Sequence, residues 1–189
     1  MLKCSAYIAT SVDGYIATHD GSVEWLENAE NPESGDKEPA GDAGFGAYMA
    51  SVDCMIMGRK CMEKIASFDL TPEQWPYGEI PIFVLSNTVK SPPESLGNKV
   101  EMYSGDLHAL TEKLESDGYN HAYIDGGLTI TSFINLGLLD EMCVTQIPIL
   151  LGGGLPLFGN IERQIMLGNA EVTVFSNDFV QWKYSISRS

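Results

Sequence analysis

Short apolar runs alternate along this chain with segments whose apolar residues recur every three to four positions. The runs at Cys4 to Thr10, Cys54 to Met57, Ile82 to Ser86, Val100 to Tyr103, Ala122 to Ile124 and Glu141 to Ile147 predict strands. Helical spacing falls at about Gly44 to Ser51, Lys60 to Phe68, Leu107 to Asp117 and Thr129 to Leu136. Such alternation predicts an α/β protein with a largely parallel sheet. The tail changes character: alternating runs at Glu171 to Phe175 and Phe179 to Ile186 flank Ser176-Asn177-Asp178, which reads as a β-hairpin adding antiparallel strands at one edge.

Two polar stretches lack periodicity, His19 to Gly41 and Lys90 to Lys99. Trp25-Leu26 is an apolar island in the first, so part of that long loop is expected to fold over something. No repeat or linker divides the chain, and 189 residues is the length of one domain, read as residues 1–189. That length buries a core without disulfides or a structural metal.

Charge narrows the partners. A formal net charge of -15 with only eleven Lys and Arg argues against a nucleic-acid surface, so an anionic ligand has to be held locally by a few cations and helix ends. The cysteines Cys4, Cys54, Cys61 and Cys143 form no C-x-x-C pair, and three lie in apolar runs that read as buried strands. With no signal-peptide pattern and no apolar stretch of roughly 18 residues, a cytoplasmic protein without a membrane partner is expected. His19, His108 and His121 show neither metal-ligand spacing nor a nucleophile triad, so no metal is expected; His19 lies on the polar loop, and the other two read as solvent-facing.

Two glycine turns carry the candidate chemistry. In Met57-Gly58-Arg59-Lys60-Cys61 an apolar run ends in glycine and two cations head a helix, the arrangement in which free N–H groups and the helix dipole attract phosphate. Solvated surface charges are the competing reading. In Tyr123-Ile124-Asp125-Gly126-Gly127-Leu128-Thr129 a strand again meets a helix, at a glycine pair that permits positive φ or close approach of a ligand. A tight turn alone is the alternative there.

In their order, Ala9-Thr10-Ser11-Val12-Asp13-Gly14-Tyr15-Ile16-Ala17, Trp25, Ile56 to Lys60, Leu85-Ser86-Asn87, Ile124 to Gly127 and Val144-Thr145 resemble the dihydrofolate reductase fold. Asp140-Glu141 and Pro148 to Phe158 make the chain more similar to the reductase domains of riboflavin biosynthesis and their stand-alone relatives. The resemblance implies a three-layer sandwich around a mixed, mostly parallel sheet, NADPH as cofactor, and a homodimer. It implies that Ala9 and Ile16 lie against the nicotinamide, and that Gly58, Arg59, Lys60 and Cys61 hold the pyrophosphate and 2′-phosphate. Ser86 and Asn87 would line the adenosine. Gly126, Gly127, Leu128 and Thr129 would cover the pyrophosphate, with a cis peptide between the two glycines. Arg suits bidentate phosphate contact, which favours NADPH over NADH.

For the substrate, the resemblance places Asp42 where folate reductases carry their buried acid, Thr145 where they place a hydroxyl, and Trp25 as a cap. Asp42 also reads as a helix N-cap, and Trp25 as an anchor for its loop. Glu79-Ile80-Pro81 stands where folate reductases need an Arg, and Ser67 to Pro72 only echoes the riboflavin-type segment. No His-x-Glu with Pro-Cys-x-x-Cys marks a deaminase partner. The expected function is an NADPH-dependent reductase of riboflavin-biosynthesis type, acting on a ribosylaminopyrimidine or another small heterocycle. The alternatives are a dihydrofolate reductase and a non-catalytic nicotinamide-nucleotide-binding protein.

Overall fold

Residues 1–27 and 42–187 are described by the structure, a computed structural model; most of the first polar stretch, 28–41, lies outside them. The chain runs through β1 (Lys3–Ser11), β2 (Tyr15–Ala17), α1 (Glu24–Glu27), α2 (Phe45–Met49), β3 (Cys54–Gly58), α3 (Arg59–Ser67), β4 (Ile82–Leu85) and β5 (Val100–Tyr103). It continues through α4 (Leu107–Ser116), β6 (His121–Asp125), α5 (Gly127–Asn135), β7 (Glu141–Ile147), β8 (Leu155–Pro156), β9 (Leu167–Val174) and β10 (Val180–Ile186). Eight strands form one sheet in the order β5-β4-β3-β6-β1-β7-β10-β9, with β2 and β8 paired separately. The first six are parallel; β10 runs antiparallel to β7 and to β9, as the hairpin pattern predicts.

Side-chain alternation sorts the strands into two buried faces. Cys4, Ala6, Cys54, Ile56, Ala122, Ile124 and Val144 pack with Leu110 and Leu114 of α4 and Ile130 and Phe133 of α5. Their neighbours in sequence, Met55, Met57 and Tyr123, point the other way and pack with Met62 and Ile65 of α3. Sheet and helices therefore make three layers. Each side is covered by apolar helix faces, which is why the central runs are almost continuously apolar.

The sequence pattern missed the shortest elements: three residues in β2 and two in β8 are too few to show a period. It also started β9 late. The observed strand begins at Leu167 and is exposed along its whole length, so its residues carry no buried alternation.

The sheet is split at its centre. β1 pairs with β6 only over Lys3↔His121, Cys4↔Ala122 and Ser5↔Tyr123, whereas it follows β7 as far as Ser11↔Ile147. β6 meanwhile follows β3 to Met57↔Asp125. Beyond Ser5 the two strands diverge, and side chains replace the ladder. Tyr123 Oη donates to the Tyr7 carbonyl at 2.9 Å. Ser5 Oγ bonds Tyr48 Oη at 2.8 Å and His121 Nε2 at 2.7 Å, while His121 Nδ1 meets the Ser51 carbonyl at 2.9 Å. His121 is thus half-buried and structural, not solvent-facing, because it closes the lower end of this split.

Tyr123→Phe leaves the Tyr7 carbonyl without its donor. We expect a loss of about 1–3 kcal/mol, read in urea as a lower midpoint with an unchanged slope. An unchanged midpoint would show that this bond does not hold the split.

Candidate functional site

Because β3 and β6 are neighbours ending at Gly58 and Asp125, α3 and α5 begin side by side. Their first turns interlock. A Cβ at Gly58 would stand 3.1 Å from Thr129 Oγ1, and one at Gly126 would stand 2.5 Å from Cys61 Sγ. At Gly127 it would meet the carbonyl oxygens of Pro156 and Leu157 at 2.7 Å. The Gly126–Gly127 peptide is trans, as are all those described, in contrast to the implied cis bond. Gly126 makes the reversal instead with φ of 91°, a conformation open to glycine. The glycine pair therefore answers to the packing of α3 and β8, which the motif alone did not show.

Two cavities meet at Ile8, Ala9 and Leu26, just outside the split. The larger, about 720 Å³, runs from Ile16, Ala17, His19 and Asp20 to Lys60, Cys61, Glu63 and Lys64, with Asp125 and Gly126 between them. The smaller, about 380 Å³, is walled by Tyr7, Phe45, Tyr123 and Phe179, with Asp42, Ala43, Thr145 and Ile147. Both volumes suit a small-molecule site. They open at the carboxyl ends of parallel strands, where β1 and β6 part, the usual position for a ligand in such sheets.

Strand register supplies one wall of the smaller cavity. Ala9, Thr145 and Gln181 lie in one row across β1, β7 and β10. Gln181 Nε2 lies 2.7 Å from Tyr7 Oη, 2.9 Å from Thr145 Oγ1 and 3.0 Å from the Ala43 carbonyl, three acceptors that share its two protons. Tyr7 Oη in turn donates to the Ala43 carbonyl. Burial raises the pKa of Tyr7, so the phenol keeps its proton. The carboxylate of Asp42 is exposed and accepts from Gly46 N at 2.6 Å and Gly44 N at 2.9 Å, at the start of α2. Those two N–H groups hold its pKa below the ordinary value. Asp42 thus bonds the helix-start N–H groups from two residues before the N-cap Gly44 and lies exposed on the cavity wall, in contrast to the buried acid that the resemblance implied.

The cofactor-type residues divide. Ala9, Ile16, Lys60, Cys61 and Gly126 line the larger cavity. Arg59 does not: its guanidinium turns along α3 to Glu63 at 2.7 Å. Thr129 is buried behind Gly58, and Leu128 is 72% exposed at the first turn of α5. Ser86 and Asn87 lie beyond β4 and line neither cavity; Ser86 Oγ accepts from Val89 N at 2.9 Å, and Asn87 Oδ1 from Ser104 Oγ at 3.1 Å. Trp25 is buried, and its neighbour Leu26 lines both cavities in its place.

Several site residues were not singled out from sequence: Tyr7, Phe45, Phe179 and Gln181 around the smaller cavity, and Lys64, Glu63 and Asp125 in the larger. Lys64 stands one turn beyond Lys60 on α3, a spacing that sequence could have flagged. Asp125 is half-buried, and burial raises its pKa and favours the neutral acid. Burial likewise raises Cys61 beside it, against a reactive thiolate.

The wall carrying Ile16 and Ala17 is latched from behind. Asp13 accepts from Leu151 N at 3.1 Å and Gly152 N at 2.8 Å. Val12 N donates to the Ile149 carbonyl at 2.9 Å, and Leu157 N to that of Gly14 at 3.0 Å. Gly154 packs so closely on the Ala17 carbonyl that a Cβ there would overlap it.

Comparison with known proteins agrees with this architecture. The sequence profile of the RibD C-terminal domain matches residues 3–181. The uncharacterized Bacillus subtilis (strain 168) protein YwjB is 31% identical over 166 residues, covering 87% of each chain. The crystal structure of a candidate riboflavin biosynthesis protein from Shewanella sp. PV-4 superposes with a TM-score of 0.86 at 40% identity, covering 99% of this chain and 100% of that one. Dihydrofolate reductase from Enterococcus faecalis, complexed with NADP(H), shares the fold with a TM-score of 0.60 at 14% identity, covering 97% of this chain and 96% of its own.

A carboxyl held below its ordinary value of 3.8 contributes stability above that pH and loses it as pH falls through the lower folded-state pKa. Asp42→Asn should therefore lower the Tm at neutral pH, with the gap to wild type closing on acidification below 3.8. A gap of equal size at both ends of the titration would remove the charge at Asp42 from the account of α2.

Proposed function

The chain belongs to the RibD C-terminal domain family, and from that premise we propose that it is an NADPH-dependent reductase of a small heterocyclic substrate. One observation carries the reading: a long cavity at two adjoining helix N-termini meets an aromatic-walled cavity at Ala9.

The residues of the larger cavity fit a nicotinamide nucleotide. Lys60 and Lys64 face it, and the first turn of α3, where helix N–H groups lack partners, lies along it beside the N-cap Gly126 of α5. Burial raises the pKa of Asp125, which weakens its opposition to a pyrophosphate passing beside it. Arg59, next to Lys60 but outside the lining, would reach a 2′-phosphate by leaving Glu63, exchanging one exposed ion pair for a doubly charged partner. An adenosine would have to reach Ser86 and Asn87 beyond the cavity. The bound cofactor supplies a hydride, and Ala9 and Ile16 provide the flat apolar contact that would aim its ring at the smaller cavity. There Thr145, fixed by Gln181, and the rings of Tyr7 and Phe45 orient the acceptor, while Leu26 excludes water.

Among solved structures, a Thermotoga maritima relative in fold is described as a diaminohydroxyphosphoribosylaminopyrimidine deaminase/5-amino-6-(5-phosphoribosylamino)uracil reductase. A riboflavin-type reductase remains our assignment for the class of reaction. We place it in the cytoplasm, in keeping with four free cysteines, three of them buried, and with no described helix long and apolar enough to cross a membrane.

A homodimer is the partner we propose. β9 ends the sheet with its outer edge unpaired among the described residues, and Val172 and Val174 on it are 64% and 69% exposed. A second copy would cover both the edge and these side chains.

Two measurements test these assignments. Calorimetric titration should show NADPH binding more tightly than NADH, with Arg59→Ala and Lys60→Ala each weakening NADPH by roughly tenfold; no binding of either nucleotide would sink the cofactor assignment. Sedimentation should find a dimer that Val172→Lys with Val174→Lys converts to monomer, and a monomeric wild type would refute the interface.

A further inference from the structure

The smaller cavity has an unusual balance of charge for a site expected to take a phosphorylated nucleotide precursor. Its one ionised side chain among the described residues is Asp42. The carboxylate is fixed in place by the N–H groups of Gly44 and Gly46, so it cannot swing away from an incoming anion without uncapping α2. The two amide protons of Gln181 are shared inward among Tyr7, Thr145 and Ala43, and the Tyr7 hydroxyl spends its own on Ala43. Among the described residues the cavity thus offers no cation to neutralise a phosphate.

Its walls are rich in aromatic rings instead. Tyr7 and Phe45 have ring centroids 5.8 Å apart and planes inclined by 54°, and Phe45 meets Tyr123 at 6.4 Å and 70°. These are neighbouring panels of a corner, and Phe179 adds a fourth ring to the lining. Ring faces carry negative electrostatic potential and attract a cation held within about 6 Å. A carboxylate in the same corner adds a charge of the same sign. The net charge of -15 favours the approach of a cation and opposes that of an anion.

We propose that the smaller cavity selects a planar organic cation, a heterocycle bearing a positively charged C=N nitrogen, as the hydride acceptor. The inference rests on the reductase reading above and sharpens it to a substrate class. In the reaction the acceptor carbon gains the hydride, the C=N π pair moves onto nitrogen and cancels its charge, and the reduced nicotinamide is left oxidised. Charge balances without a proton. A wall whose carboxyl stays ionised and whose phenol stays protonated is therefore sufficient. Asp42 acts as an anion that binds, not as an acid, and the reduced, neutral product loses the attraction that held the substrate.

The test uses the full-length chain and three probes of similar shape: N-methylquinolinium, neutral 1-methylnaphthalene and anionic quinoline-4-carboxylate. Affinities come from quenching of intrinsic fluorescence with and without NADP⁺, and NADPH binding is measured separately. We expect the cation to bind about tenfold more tightly than the neutral isostere, and the anion to bind most weakly. Asp42→Asn and Phe45→Leu should each reduce the cation's advantage several-fold while the neutral probe is little affected; two variants guard against one that fails to fold. Equal affinity for cation and neutral probe, or tighter binding of the anion, would overturn the inference while leaving NADPH binding and the reductase reading intact. Absence of NADPH binding in the wild type would overturn the reductase reading itself, and with it the role of the cation as hydride acceptor.

Discussion

Everything near the candidate site depends on one break in hydrogen bonding, the parting of β1 from β6 beyond Ser5↔Tyr123. A parallel sheet gains by continuing its ladder, so a gap at its centre needs compensating partners for the exposed carbonyls. The Tyr123 hydroxyl meets this need by bonding the Tyr7 carbonyl across the gap. The same ring then stacks edge-on against Tyr48 at 5.2 Å, so polar satisfaction and packing come from one side chain. Both cavities, and the panels that line them, follow from the space this leaves.

The two glycine turns show how an expectation can be right about place and incomplete about cause. Gly58 and Gly126 do stand where helices begin beside the larger cavity. Yet their missing side chains are required first by Thr129, Cys61 and the carbonyls of Pro156 and Leu157. Packing of α3, α5 and β8 against one another fixes the direction of the helix ends. Any phosphate recognition is a consequence of that packing. At Gly126 the turn itself is made by a positive φ, ahead of a trans peptide to Gly127.

Sequence periodicity disclosed the parallel core because its strands are covered on both sides and its helices on one, which writes continuous and three-to-four patterns respectively. It disclosed the hairpin by alternation in β10, but not the start of β9, where exposure removes the signal. At the site, residues around the glycine turns were legible, since Lys60, Cys61 and Gly126 reach the larger cavity, and so does Ala9 of β1. Arg59 was legible as a cation but not its direction, since Glu63 four residues on competes for it. Tyr7, Phe45, Phe179 and Gln181 were illegible for a deeper reason. They are brought together by register across β1, β7 and β10 and by a loop crossing, and no local pattern marks a residue that becomes functional only through its neighbours in space.

Asp13 sits far from any atom that would react, yet it holds Leu151 and Gly152 and so ties the segment around β8 to the strand-end loop. Since that loop carries Ile16 and Ala17, one wall of the larger cavity is secured on its outer side. The shape of that wall is therefore set in part by a carboxylate and two amides that line no part of the cavity themselves.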